Sequence, residues 1–224
     1  MNYAALSAAI QAYTENTEAD FVANIPVFVT QAEQRIYNTV QFPSIRKNVT
    51  STIAINTKYL DCPLDFLAVY SMAVIDASGN YEYLLNKDVN FIRQAYPNPT
   101  TDTGTPKYYA LFGPTVLSST IYDELSFIIG PTADANYGVE LHYYYYPESI
   151  TTAADGQTWL GDNFDSVLLY GSLVEAYTYM KGEQDMMALY NGKYQEALAL
   201  AKRLGDGMER QDAYRSGQFR QAVT

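Results

Sequence analysis

The residues able to do chemistry in this chain are few and poorly grouped. His142 is its single histidine and Cys62 its single cysteine. Metal sites built on nitrogen or sulfur need clusters of such residues, so no metal site is expected. A Ser-His-Asp centre would have to recruit His142, yet no Gly-x-Ser-x-Gly turn accompanies it. Neither common glycine-rich phosphate loop is present, and no cofactor is expected. Carboxylates are plentiful instead. Between Lys107 and Lys181 the chain has no Lys or Arg, while Asp123, Glu124, Asp134, Glu140, Glu148, Asp155, Asp162, Asp165 and Glu175 all fall there. Two carboxylates flanking a glycosidic bond can hydrolyse it, but Glu140 and Glu148 sit at strand ends and Asp162 and Asp165 at a helix start, where carboxylates cap. The expectation is therefore a protein that is not an enzyme. A carboxylate-dependent glycoside hydrolase and a tyrosine-lined carbohydrate-binding module stay open as alternatives.

His142 opens the run "HYYYYP", which holds Tyr143, Tyr144, Tyr145 and Tyr146 among 22 tyrosines. Successive side chains of a strand point to opposite faces, so Leu141, Tyr143 and Tyr145 share one face and His142, Tyr144 and Tyr146 the other. Tyrosine buries a large ring while its hydroxyl still finds a partner. A strand with two such faces suits a core on one side and a protein interface on the other. The four tyrosines are thus candidates for a subunit interface, and His142 reads as a sheet residue beside stacked rings.

Elements that position this strand follow from periodicity. Leu6, Ala9, Ile10 and Tyr13 recur at helical spacing, and Thr17 with Asp20 offers a cap. A second, longer helix is expected with Asn24 as its cap, Pro26 in its first turn and Phe28, Ala32, Ile36 and Val40 as its stripe. From about residue 44 to 157 the texture changes to short Val-, Ile-, Thr- and Tyr-rich runs between turn residues, about seven candidate strands. Asp76 to Asn80 and Thr132 to Tyr137 read as hairpin turns, and Val89, Ile92 and Tyr96 as a short helix closed by Pro97. Helix returns after Trp159, with Asp162 as cap and Lys181-Gly182 as stop, and once more through Met187, Tyr190, Tyr194 and Leu198 to near Gly205. Gly192 inside that last helix is explained if it closely approaches Gly171. The fold class is α+β: a helical bundle from residues 1–43 and 158–205, an inserted antiparallel β-rich module over 44–157, and a flexible tail over 206–224.

Charge narrows the partners. With 25 acidic against 14 basic residues the net charge is −11, which disfavours affinity for nucleic-acid phosphates or anionic membranes. A lone cysteine needs no oxidising compartment, and "MNYAALSAAIQAY" has neither a basic n-region nor an unbroken apolar stretch; a cytoplasmic origin is expected. From Lys202 to the end the sign reverses, with Lys202, Arg203, Arg210, Arg215 and Arg220 against Asp206, Glu209 and Asp212, and in the tail Arg210, Tyr214, Arg215, Phe219 and Arg220 alternate cations with rings. Such a segment can order against a partner, its rings as anchors and its guanidinium groups on carboxylates.

Several phrases together carry a family likeness: "YTENTEADFVANIPVFVTQAEQRI", "LLNKDVNFIRQAYP", "GTPKYYALF" leading to "IIGPTADANYGVELHYYYYPESI", and "WLGDNFDSVLLYGSLVEAYTYMKGE" followed by "YQEAL". In this order the chain resembles the head-to-tail adaptor (upper neck, tail accessory) proteins of short-tailed bacteriophages, over residues 1 to about 215. The resemblance implies a homo-oligomeric ring, twelvefold, in the virion neck, assembled in the host cytoplasm. The portal protein would lie above it and the tail nozzle, with possible tail fibres, below. DNA would pass through the ejection channel without specific binding, and the five tail residues would face the portal. It implies no reaction.

Overall fold

In the computed structural model, the Asn2 side chain starts the first helix, α1 (Tyr3–Thr14), by accepting the Ala5 N–H at 2.9 Å. The structure describes the backbone of residues 1–113, 116–117, 120–121 and 125–216, and the side chains of 1–113, 125–205 and 207. Two compact units emerge: Met1–Ile45 with Tyr146–Thr224, and Arg46–Tyr145.

The helical unit is built on continuous apolar stripes. Helix α2 (Ala19–Thr39) begins after Glu18, five residues before the expected cap, and Pro26 lies inside it. An interior proline removes one helical hydrogen bond and costs roughly 3 kcal/mol. It is tolerated because Phe21, Ile25, Phe28, Val29, Ala32 and Ile36 bury one unbroken face on both sides of it. Asn24 caps nothing; its amide donates to the Asp20 carbonyl at 2.7 Å.

The helix expected from Asp162 onward is two pieces, α4 (Trp159–Asn163) and α5 (Asp165–Met180). Thr158 is the cap, taking the Gly161 N–H at 3.2 Å. Asp162 stands instead 3.7 Å from the terminal amine. The break falls at Phe164, whose ring packs on Phe42 and Trp159 at 5.1 and 5.5 Å. Lys181 closes α5 in the left-handed region, φ 54°.

The last helix, α6 (Gln184–Ser216), runs beyond the end expected near Gly205. Met, Glu, Arg, Gln and Ala at 208–213 are good helix formers, and they carry it through two glycines. Helices α1, α2 and α6 all pack on α5, where Leu168 is fully buried, as is Ile36 on α2. Gly171 is the tight point. A Cβ there would lie 3.2 Å from both the Ala32 Cβ and the Tyr194 ring. Gly192 does not face it, since a Cβ at that position would meet nothing within 4 Å.

One buried charge shares the core-facing side of α2 with this stripe. Glu33, only 2% exposed, accepts the Ile150 N–H at 2.9 Å and a bond from the Ser149 hydroxyl. Burial pushes its pKa up, against the lowering effect of those two donors.

The second unit is a pair of facing sheets. In the first, β1 (Arg46–Ile53), β12 (Tyr137–Tyr144), β3 (Ala68–Ile75) and β4 (Tyr81–Tyr83) lie in that order, every pair antiparallel. In the second the order is β2 (Tyr59–Asp61), β10 (Ser126–Gly130), β7 (Tyr108–Phe112) and β5 (Leu85–Asn86), antiparallel except for β5 with β7. Two small pairs complete it, β6 (Thr103–Gly104) parallel to β11 (Thr132–Ala133) and β8 (Val116–Leu117) antiparallel to β9 (Thr120–Ile121).

One core joins the sheets: Met72, Val74, Val139 and Leu141 from the first face Tyr109, Phe127 and Ile129 from the second. Helix α3 (Val89–Ala95), capped by Asp88, covers the second sheet's other side with Ile92 on Ala110 and Ile128. Strand β10 is therefore buried on both faces. A Cβ at Gly130 would come within 2.8 Å of Ile92 and 2.9 Å of Tyr96, so only glycine fits beneath α3.

Asp76–Asn80 is a hairpin turn between β3 and β4, with the Asp76 carboxylate accepting the Ser78 and Asn80 N–H groups at 2.8 and 2.9 Å. Thr132–Tyr137 is not one. Strands β10 and β12 belong to different sheets, and this segment carries the chain between them.

Two outcomes follow from this packing. Gly171→Ala lowers unfolding free energy by about 1–3 kcal/mol through overpacking, whereas Gly192→Ala raises it by up to about 1 kcal/mol; urea titrations of both variants check the contrast. Glu33 gives a pH dependence. Its folded pKa is raised, so the folded state binds the proton more tightly than the unfolded state. That stability is present below the ordinary carboxylate range and is lost as pH rises through the folded value. Denaturant melts of wild type and Glu33→Gln across this range should diverge accordingly, and parallel curves would contradict it.

Candidate functional site

The four tyrosines at the end of β12 do four different things. Tyr143 faces inward and is 1% exposed. Its ring packs on Phe66 at 5.9 Å, and its hydroxyl donates to Asp65 Oδ1 at 2.7 Å. Burial first, then Asp65, push the Tyr143 pKa up. Asp65 also takes Lys47 Nζ at 2.8 Å; burial pushes its carboxyl up, but the bonds from Lys47 and Tyr143 outweigh this and hold it low. Tyr143 is thus a core support and presents no surface. Tyr145 half-buries against the same core, with Lys47 Nζ 5.1 Å from its ring centre.

Tyr144 lies on the outer face. Its ring meets Tyr70 edge-on at 5.9 Å, and the Arg46 guanidinium sits 4.4 Å from the Tyr70 ring and 5.7 Å from that of Tyr144. The pairing of β12 with β3 shifts register between His142 and Tyr143. Such a bulge re-aims side chains. Tyr146 follows the strand, belongs to the helical unit, and donates to Asn38 Oδ1 at 2.6 Å.

His142 shares the outer face with Glu140. Its Nε2 is 3.3 Å from Glu140 Oε1, and Asn48 Nδ2 donates to the same oxygen at 2.6 Å. The Tyr81 hydroxyl bonds to Glu140 as well, and these donors, Asn48 and His142 foremost, hold the carboxyl below its usual range. This arrangement fixes side chains on an exposed sheet. Glu140 is held as a charged acceptor, which suits neither a general acid nor an open sugar platform, and Arg46 occupies the ring faces that a sugar would stack on. Glu148 belongs to the other unit, and Asp165 opens α5.

Among the described residues no group of three or more His, Cys, Asp or Glu gathers to hold a metal, and no helix is long and apolar enough to cross a membrane. Cys62 is buried, and burial, aided by Asp61, pushes its thiol up to about 12, so it is a poor nucleophile. Of the tail candidates, Arg210, Tyr214 and Arg215 lie on the α6 backbone; their side chains, and all of Phe219 and Arg220, fall outside the described residues.

Two polar features escape a reading by periodicity. Glu33 is one; an acid at a core-facing position between Val29 and Ile36 was its only signal. The other is the Arg35–Glu175 ion pair linking α2 to α5, with Arg35 also 6.0 Å from the Tyr194 ring centre. Its partners are 140 residues apart.

A helical unit interrupted by a β-sandwich, its exposed strand face arrayed with stacked aromatic, amide and charged groups, has the build of a protein that works by contact. The model of the SU10 adaptor protein family matches residues 1–221. The chain belongs to that family, consistent with a bacteriophage head-to-tail adaptor, a structural role in the virion neck that points away from catalysis. No curated protein matches it.

The division of labour among the tyrosines is measurable. Tyr143→Phe loses a buried hydroxyl's bond and about 1 kcal/mol; Tyr143→Ala loses roughly 3–5 kcal/mol. Tyr144→Phe stays within about 0.5 kcal/mol of wild type. Chemical denaturation of the three variants tests the ranking.

Proposed function

We propose that this protein forms the head-to-tail adaptor ring of a bacteriophage virion, twelvefold, joining the portal protein to the tail nozzle and fibres and lining part of the DNA ejection channel. The family match over residues 1–221 carries this reading. Charge supports it: a body at net −11 repels phosphate and lets DNA slide without sticking. So does the chemistry on the surface, which is suited to contacts and needs no substrate.

In this proposal the tail docks on the portal through Arg210, Tyr214, Arg215, Phe219 and Arg220, with rings as anchors and guanidinium groups pairing with carboxylates. The backbone of α6 reaching Ser216 supports it, because a helix delivers the first of these residues from a rigid base. The assembly takes place in the host cytoplasm.

A chain ended at Gly207 tests this, since Gly205, which packs against the Gln41 carbonyl, is retained. The truncated protein should fold as the full chain does by circular dichroism and bind isolated portal rings at least about tenfold more weakly, a loss of 1.4 kcal/mol or more. Unchanged binding would remove the tail from the docking surface. Absence of any ring on the portal in electron micrographs of the full chain would remove the adaptor-ring reading itself.

A further inference from the structure

The β-sandwich has two lateral edges. Strands β1 and β2, joined by residues 54–58, make one; β4 and β5, joined by Leu84 alone, make the other. No described strand pairs with the outer side of any of the four. Folded proteins blunt such edges with short strands, bulges, proline or charge. Strand β1 has none of these over most of its length. It is eight residues long, its register with β12 is unbroken, and after Lys47 it reads Asn-Val-Thr-Ser-Thr-Ile with no charge and no proline. Exposed apolar groups flank both edges: Ile55 and Tyr59 on the first, Tyr81, Leu85 and the 67% exposed Tyr83 on the second.

Strand direction says what fits. The first sheet has four strands, every neighbour antiparallel, so β1 and β4 run in opposite senses. A second copy placed edge to edge in the same sense sets its β1 antiparallel to β4. Pairing of β1 with another β1 would close at two copies, whereas β4 with β1 is a head-to-tail contact that propagates around a ring.

We propose that the β4–β5 edge of one copy docks on the β1–β2 edge of the next, continuing the first sheet across the subunit boundary. This rests on the adaptor-ring reading and specifies its interface. Met72 and Val74 point into the core, so Ala73 and Ile75 point out, and with them their partners Tyr83 and Tyr81. In the continued sheet these rings join the outer row of Asn48, Thr50 and Thr52, and aromatic rings beside β-branched residues are favourable cross-strand neighbours. Leu85 meets Tyr59. Three residues of β4 supply few backbone bonds, so the side chains carry most of the contact.

The test uses the full chain assembled on isolated portal rings, with photoreactive benzoylphenylalanine in place of Tyr83. Illumination should produce adaptor–adaptor adducts that peptide mass spectrometry maps to residues 46–59 of the second copy. A companion variant, Tyr83→Glu with Leu85→Lys, should raise the concentration for half-assembly roughly tenfold with an unchanged thermal midpoint, because both residues are exposed. Rings that form normally with adducts elsewhere, to the portal or to another region of the adaptor, would overturn the edge contact and leave the ring standing. Unchanged assembly of the companion variant would also overturn it. Failure of wild-type chains to form any ring would overturn the ring reading and this interface with it.

Discussion

The fold depends on the pairing of the strand that enters the β unit with the strand that leaves it. Strands β1 and β12 are partnered over eight consecutive residues, from Arg46 with Tyr144 to Ile53 with Tyr137. Because the first and last strands are neighbours, the inserted module returns the chain to where it received it. The closure entropy of so long an insertion grows only slowly with length, and the pairing offsets it. The returning chain is then held in the helical unit by Tyr146 on Asn38 and by the Ile150 N–H on Glu33. Burying Glu33 is unfavourable in itself, as its raised pKa records. It is retained with two donors, and losing either would leave a buried polar group unsatisfied.

Each unit then stabilises itself by a different route. In the helical unit, α5 is the element on which α1, α2 and α6 converge, and Gly171 sets how closely Ala32 and Tyr194 approach it. In the β unit, two half-polar sheets share one apolar layer and α3 supplies a third, so β10 has no polar face at all. The outer face of the first sheet stays polar and aromatic. There Glu140, Asn48, His142 and Tyr81 fix one another, and Arg46 lies against Tyr70 and Tyr144. Such a face is ordered before any partner arrives, which limits the side-chain entropy lost on contact.

This preorganisation fits membership of the SU10 adaptor protein family. Proteins that act by contact need surfaces that hold shape and edges that accept one partner. A histidine bonded to a carboxylate two residues away on an exposed strand serves the first need, and β edges with defined direction serve the second. The same chemistry read as catalysis would require a carboxyl free to exchange a proton near neutral pH, and Glu140 is held in the opposite sense.

Much of this was legible in the sequence, because helix and strand are written in local periods of 3.6 and 2. The stripes of α2 and α6, the short helix α3, the Asp76–Asn80 turn and the alternation of Leu141, Tyr143 and Tyr145 against His142 and Tyr144 all follow from residues close together in the chain. The poverty of His and Cys follows from composition. What the tertiary structure alone decided is which partners those local elements find. Alternation says that Tyr143 and Tyr144 face opposite ways, but only the second sheet, brought in by Phe127 and Tyr109, makes the Tyr143 side the inside. Pro26 read locally as a helix start, yet burial on both sides of it carries the helix through. Thr132–Tyr137 read as a hairpin, yet its flanking strands each pair more favourably in a different sheet. The pairing of β1 with β12, the bond from Ile150 to Glu33 and the approach at Gly171 join residues far apart in sequence, and no local pattern encodes a partner that only packing brings within reach.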